Sequence, residues 1–235
     1  MEKKEKKIVV LTGAGISAES GIKTFRDAGG LWNGYDIMEV ASPEGWYKNK
    51  KLVLDFYNMR RRQLHEVKPN AAHYALVKLE SKYDTVIITQ NVDDLHERAG
   101  SGNVLHLHGE LFKVRSTGDP NLIYEWKKDL NIGDKCEKGF QLRPHIVWFG
   151  EEVPMISVAA REVTDADIMI IIGTSMQVYP AAGLVSYLPQ GSRIFYIDPK
   201  PHISYELMRA PNLKVIPKKA TEGVPPVVDE LLNEN

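Results

Sequence analysis

A single cysteine, Cys136, stands in a chain of 235 residues. Internal disulfides are therefore impossible, and a reducing, cytoplasmic setting is the expectation. No apolar run approaches the roughly 20 residues that a membrane span needs. A surplus of either charge is also missing: 30 Lys and Arg stand against 31 Asp and Glu. No global field then favours nucleic acid or a membrane surface. The opening MEKKEKKIVVLTGAG is basic, but its apolar segment is brief and broken by glycine, unlike a secretory leader. There are no internal repeats, and no low-complexity tract beyond the first lysines. A chain of this length can bury one sizeable core with a small insert.

Short β-branched runs recur at 8–12, 85–89, 168–172, 194–197 and 213–216. Several are continuously apolar, as strands covered on both faces are. Helical patterns fall between them at 71–79, 158–163 and 181–188. This alternation predicts an α/β fold with an open, doubly wound, Rossmann-like parallel sheet. Two stretches break the rhythm: 32–68 is helical, aromatic and basic, and 114–143 is polar without periodicity. They are expected to form a smaller inserted lobe, leaving 1–31, 69–113 and 144–235 as the nucleotide-binding domain. The cleft between the lobes is the natural ligand site.

The first strand runs into Gly13-Ala14-Gly15-Ile16-Ser17-Ala18, the G-x-G-x-x-A spacing of a dinucleotide-binding turn. Its glycines permit a tight turn and close phosphate approach, and Ala18 lets the next helix pack so that its N–H groups face the phosphates. A dehydrogenase would place an acidic ribose ligand about 20 residues on, at the end of a second strand. Here that interval holds Phe25-Arg26-Asp27-Ala28-Gly29-Gly30-Leu31-Trp32, a polar loop. Asp198, ending a later strand, offers the missing carboxylate, and Gly173-Thr174-Ser175 offers small hydroxylated contacts beside it.

The strand at 85–89 ends in Gln90-Asn91-Val92-Asp93-Asp94, where open α/β sheets bind ligands. Asn91 or Asp93 could equally cap a helix. His106 and His108 follow in VLHLHGE and would share a face of an extended segment. They could form a metal pair, but no Cys or Asp cluster at ligand spacing accompanies them. His108, with Gly109 ending its strand at the sheet edge, suits a general base. Val147-Trp148-Phe149-Gly150-Glu151 ends another strand, which Gly150 closes. It reads either as aromatic core or as an edge open to an extended peptide.

Taken in order, GAGISAESGI…FR, TQNVDDLHERAG, LHLHGE, RPHIVWFGE and GTSMQVYPAA resemble the sirtuin family of NAD-dependent protein-lysine deacylases, bacterial type, over nearly the whole chain. The resemblance implies a Rossmann-like large domain, a small domain and an acyl-lysine peptide between them. It makes His108 the catalytic base and puts Gln90, Asn91 and Asp93 in the nicotinamide and ribose pocket. Gly13, Ala14, Gly15, Ala18, Phe25, Arg26 and Trp32 hold or cover the cofactor. Gly173, Thr174, Ser175 and Asp198 lie toward the adenosine, with Ala220 as a last adenine contact. It also implies that the acyl oxygen attacks the ribose anomeric carbon as nicotinamide leaves, giving free lysine and O-acyl-ADP-ribose.

Tyr57 and Arg60, three apart on a predicted helix, share a face and make a fork for a carboxylate, while Arg61 and Arg62 read as solvated. With Ala41, this pair resembles the sirtuin branch that removes succinyl and malonyl groups. The peptide is expected to lie along Val147, Trp148, Phe149, Gly150 and Glu151. The family's two cysteine pairs are reduced to Cys136, with Gly139, Ser116 and Asp119 at the other places, so no zinc or other metal is expected. Rival readings are a plain deacetylase, a nicotinamide-dependent dehydrogenase, an NAD sensor without turnover and a mono-ADP-ribosyltransferase. The expected partners are acyl-lysine proteins, not nucleic acid or membrane. The oligomeric state is not legible, and a monomer is the working expectation.

Overall fold

The computed structural model describes residues 6–23, 31–32 and 34–234. The chain opens with β1 (Lys7–Thr12) and the single-turn α1 (Gly15–Ala18), then enters a small hairpin, β2 (Leu31–Trp32) and β3 (Tyr35–Asp36). Three helices follow: α2 (Ile37–Val40), α3 (Pro43–Lys48) and the long α4 (Lys50–Glu66). The chain then returns through α5 (Ala71–Leu79), β4 (Asp84–Thr89), α6 (Leu95–Ala99) and β5 (Val104–His106). A second excursion makes β6 (Gly109–Ser116), β7 (Ile123–Glu125) and β8 (Leu142–Ile146). The last part is α7 (Ile156–Val163), β9 (Ile168–Ile172), β10 (Arg193–Ile197), α8 (Tyr205–Met208), β11 (Leu213–Ile216) and α9 (Ala220–Asn233).

Among the described residues the main sheet is six-stranded, in the order β11-β10-β9-β1-β4-β5, and its pairings are parallel. The apolar runs read from the sequence form these strands because both faces are covered. Ile8, Val10, Ile170 and Ile172 pack with Leu76 and Leu79 of α5 and Val224 and Val228 of α9. On the opposite face Val9, Leu11, Met169 and Ile171 pack with Ala159 and Val163 of α7 and with Leu184 and Val185. The residue period of two sends alternate side chains into two separate cores. A third core joins Val53, Phe56 and Tyr57 of α4 to Leu111, Val114, Leu142, Ile146 and Trp148.

Strand order reverses between β1 and β9: the chain steps outward from β1 to β4 and β5, then restarts beside β1 and steps out the other way. Crevices for ligands open at such a reversal, beyond the carboxyl ends of the strands. The two turns there are in contact. The Gly13 amide donates to the Ile172 carbonyl at 3.0 Å and the Gly15 amide to the Gly173 carbonyl at 2.8 Å. A Cβ on Gly15 would meet the Gly173 Cα at 2.5 Å, and Gly173 holds a φ of +61°. These glycines let the two turns approach each other.

Three expectations need correction. The stretch 114–143 is mainly turns and loops, as read from the sequence, and within it lie the end of β6, all of β7 and the start of β8, an antiparallel sheet in the order β7-β6-β8. Gly109 does not end a strand; it opens β6 at φ +81°, with His145 backbone pressed so close that a Cβ would lie 2.0 Å from its carbonyl oxygen. Gly150 does not close β8, which stops at Ile146, because residues 148–151 turn back through a Glu151 N–H to Trp148 carbonyl bond of 3.0 Å. Residues Ala181–Tyr187 form a 3-10 helix, with Gly183 inside it weakening α-helical preference. Among the described residues no helix is long and apolar enough to cross a membrane.

Candidate active site

The carboxyl ends of β1 and β4 are tied by a hydroxyl ladder: Thr12 Oγ1 bonds Thr89 Oγ1 at 2.8 Å, and His96 Nε2 lies 3.1 Å from Thr12 Oγ1. From this base the chain leaves β4. The Gln90 amide donates to the Thr12 carbonyl at 2.9 Å, and the Asn91 amide donates to Thr89 Oγ1 at 3.0 Å. The Asn91 side chain then reaches Ser17, whose hydroxyl accepts from Nδ2 at 3.3 Å and donates to Asp93 Oδ2 at 3.0 Å. All three residues are buried. Asp93 Oδ1 accepts the Leu95 amide at 3.2 Å, so Asp93 serves the helix start and the cluster together. Burial raises its pKa, and the Leu95 and Ser17 hydrogen bonds partly offset that rise.

Ser17, Thr12, Thr89 and His96 were not picked out from sequence. Ser17 had a signal, a hydroxyl one residue before the small Ala18 of the glycine turn. The threonines read as β-branched strand residues, and only the strand register reveals that their hydroxyls meet.

The two histidines of LHLHGE divide into different chemistry. His106 Nδ1 faces the Asn91 carbonyl at 3.1 Å and Nε2 faces Glu97 Oε1 at 2.6 Å. Both partners accept, which favours a proton on each ring nitrogen and so the imidazolium form. Burial works against that charge, but the Glu97 hydrogen bond and charge, with Glu110 and the Asn91 carbonyl, outweigh it and raise the pKa. With both nitrogens occupied, His106 cannot ligate a metal. His108 is the opposite case. Its Nδ1 donates to the Gln90 carbonyl at 3.0 Å, and burial lowers its pKa despite that bond. A neutral ring protonated at Nδ1 keeps a lone pair at Nε2, the form a general base requires.

Toward the other half of the sheet, Gln90 Nε2 donates to Thr174 Oγ1 at 3.1 Å and so bridges the reversal in strand order. Ser175 follows, half-buried, after the Gly173 turn. Asp198 is buried just past β10, and its carboxylate accepts the Lys200 amide at 2.8 Å. Ala220 opens α9, whose first turn is tied to Glu19 by the Thr221 amide at 3.0 Å and hydroxyl at 2.8 Å. In the first glycine turn, Gly15, Ile16 and Ser17 donate their amides to carbonyls of the chain, so these N–H groups do not face outward as expected. Phe25 and Arg26 lie outside the described residues, as does the Trp32 side chain.

On the side of α4, the fork residues and the 147–151 segment converge. The Val147 amide donates to the His108 carbonyl at 2.9 Å and the Phe149 amide to the Ala41 carbonyl at 2.9 Å. Trp148 Nε1 donates to the Tyr57 hydroxyl at 3.0 Å. Tyr57 is fully buried, which pushes its pKa well up. Burial lowers the Arg60 pKa to about 10, within the influence of Tyr57 and Asp93, and the guanidinium stays cationic at neutral pH. A small cavity lined by Arg60, Val92, Asp93 and Leu111 links α4 to the Asn91–Asp93 loop. Two expectations change here. Arg61 is not solvated: it is 1 % exposed, with Nε donating to the Leu111 carbonyl at 3.1 Å and Nη1 to Asn58 Oδ1 at 2.7 Å, because α4 is enclosed on several sides. The Val147, Trp148 and Phe149 amides are all engaged, Trp148 by Glu151 Oε2 at 2.8 Å, so an added peptide strand cannot use them as free donors.

Ser116, Asp119, Cys136 and Gly139 do come together in a knuckle at the end of this lobe. Ser116 Oγ accepts the amides of Gly118 and Asp119 at 3.2 Å each and lies 3.3 Å from Cys136 Sγ. Asp119 pairs with Lys138 at 2.7 Å, and Gly139 donates its amide to the Cys136 carbonyl at 2.9 Å. One thiol, one hydroxyl already accepting two amides, one paired carboxylate and a glycine do not make a tetrahedral zinc donor set. Among the described residues no group of three His, Cys, Asp or Glu side chains is placed to hold a metal ion.

Comparison with known proteins finds a family model described as the Sir2 family over residues 13–180. An NAD-dependent protein deacylase of Helicobacter pylori strain J99 is 66% identical over 195 residues, covering 83% of this chain and 83% of its own. One of Bacteroides thetaiotaomicron is 55% identical over 225 residues, covering 93% and 95%. Among solved structures, a Sir2 homolog–NAD complex superposes with a TM-score of 0.86 at 42% identity, covering 97% of this chain and 90% of its own.

The histidine assignments are testable by NMR titration of the imidazoles. His106 is expected to titrate above its ordinary 6.5 and His108 below it. Glu97→Gln should lower the first and leave the second in place; a shared midpoint would refute the assignment. The His106 charge contributes stability that is full below its unfolded pKa and lost as pH rises through the raised folded one. Glu97, with its pKa lowered, contributes above its unfolded pKa and loses that contribution as pH falls through the lowered value.

Proposed function

The chain belongs to the Sir2 family, and from that membership we propose that it removes acyl groups from protein lysines at the expense of NAD, which is consumed as a co-substrate. The products are nicotinamide, O-acyl-ADP-ribose and free lysine. The observation that carries this reading is the neutral His108, its Nε2 lone pair free, beside the buried Asn91–Ser17–Asp93 cluster at the reversal in strand order.

In this reading the dinucleotide lies across the reversal, between the turns of Gly13–Gly15 and Gly173–Ser175. Asp198 accepts from ribose hydroxyls, and Ala220 borders the adenine. Asn91 and Asp93, fixed by Ser17, orient the nicotinamide end, so the anomeric carbon meets the acyl oxygen without a strong nucleophile. Attack forms the C1′–O bond while the bond to nicotinamide breaks, and the developing positive charge sits in a water-poor site. His108 Nε2 then takes a ribose hydroxyl proton, directly or through a neighbouring hydroxyl, and the sugar oxygen closes on the imidate carbon; the C–N bond breaks as the lysine amine leaves with a proton, and one water adds to that carbon to give O-acyl-ADP-ribose. The segments 32–68 and 114–143 act as the substrate lobe, presenting the peptide along 147–151.

The acyl group preferred is acidic, succinyl or malonyl, with weaker deacetylation. Arg60 supports this: its buried guanidinium stays cationic at neutral pH, one helical turn from Tyr57, and suits the carboxylate of such a chain. Ala41 leaves room for the longer chain. Arg60→Met is expected to lower kcat/KM for a succinyl-lysine peptide by about tenfold to a hundredfold, the worth of a charged hydrogen bond. Turnover of the acetyl-lysine peptide should stay within about threefold, a change under 1 kcal/mol. Equal loss of both would make Arg60 a structural residue.

The 114–143 knuckle folds, on this account, by hydrogen bonds and packing instead of zinc. Exhaustive dialysis against a zinc chelator should leave melting temperature and deacylation unchanged. A chelator-induced fall in both, reversed by zinc, would show that the donor set has been misjudged.

A further inference from the structure

The geometry points to Trp148 as a specificity-determining positioning residue: its indole N–H occupies the Tyr57 oxygen, so that the phenolic proton is donated to the carboxylate of an acidic acyl chain. This rests on the acidic-acyl reading above. The indole Nε1–H only donates, and a phenol has one proton and two lone pairs. At 3.0 Å, with Trp148 as donor, Tyr57 is the acceptor. Its own proton must then point elsewhere, and among the described residues none accepts it. Burial raises the Tyr57 pKa, so the group stays a neutral donor across the working pH range. Arg60, one helical turn on, supplies the charge, and Tyr57 supplies a directed second bond.

Trp148 can do this only if its ring is held, and the structure shows how. The Arg143 guanidinium carbon lies 3.3 Å from the centre of the indole ring. Arg143 is fixed by Glu151, with Nη1 at 2.6 Å and Nη2 at 3.0 Å, and Arg115 Nη2 reaches the same carboxylate at 3.1 Å. Glu151 also accepts the Trp148 amide at 2.8 Å, so one carboxylate anchors both the backbone of Trp148 and the cation stacked on its ring. These charged bonds hold the Glu151 pKa below its ordinary value, against the opposing effect of burial, and the clamp stays ionised at neutral pH. Trp46 packs at 5.8 Å between ring centres and completes the enclosure.

The test compares kcat/KM for succinyl-lysine and acetyl-lysine versions of one peptide, with NAD, in the wild type, Trp148→Phe, Tyr57→Phe and the double variant. Each single substitution is expected to lower the succinyl-to-acetyl ratio by about tenfold, through KM of the succinyl peptide. The double variant should fall no further than either single, since both remove one oriented donor. A wild-type ratio near one overturns the acidic-acyl reading and this inference with it. A high wild-type ratio that survives Trp148→Phe overturns this inference alone, and so do independent, multiplying losses in the double variant. If Trp148→Phe fails to fold, Tyr57→Phe removes the same O–H donor without touching the clamp, and an unchanged ratio there overturns the inference.

Discussion

The bond from His108 Nδ1–H to the Gln90 carbonyl is the constraint on which the chemistry of this site depends. A carbonyl can only accept, so the bond fixes the proton on Nδ1 and leaves Nε2 basic. Burial keeps the ring neutral. One residue further along the same backbone, the Asn91 carbonyl binds the other histidine, whose pKa the Glu97 hydrogen bond and charge raise against burial. Two imidazoles two residues apart are thus shifted in opposite directions because their second nitrogens meet different partners.

That backbone is rigid for reasons that begin in the sheet. The Thr12–Thr89 pair and the Gln90 and Asn91 amides fasten the loop to the ends of β1 and β4. The Gln90 side chain reaches across the reversal in strand order to Thr174. The same few residues therefore border both halves of the crevice. From the other direction Val147 donates to the His108 carbonyl and Phe149 to the Ala41 carbonyl, which couples His108 to the elements that carry Tyr57 and Arg60. In the proposed mechanism, acyl-chain recognition and proton transfer share one short stretch of chain.

The strands were legible because burial on both faces leaves an unbroken apolar signature, as at 168–172, where each residue is buried. The end-of-strand positions of Asn91, Asp93 and Asp198 followed from those strands. What stayed hidden depends on register and distant partners. Nothing in Phe56-Tyr57-Asn58-Met59-Arg60-Arg61 announces that Arg61 is enclosed, since that follows from Leu111 and Asn58 closing over it. The short strands inside 114–143 leave no period in the sequence because turns and loops separate them. Trp148 read equally as core or as peptide edge, and its role as a donor to Tyr57 needed two segments 91 residues apart to be placed together.

The most direct measurement of the central claim is the product balance of the unmodified protein with NAD and a succinyl-lysine peptide, followed by mass spectrometry. The account predicts nicotinamide, O-succinyl-ADP-ribose and free-lysine peptide in equal amounts, and no nicotinamide when the acyl-lysine is left out. Reduced dinucleotide, or ADP-ribose transferred to protein in place of the acyl ester, would contradict it.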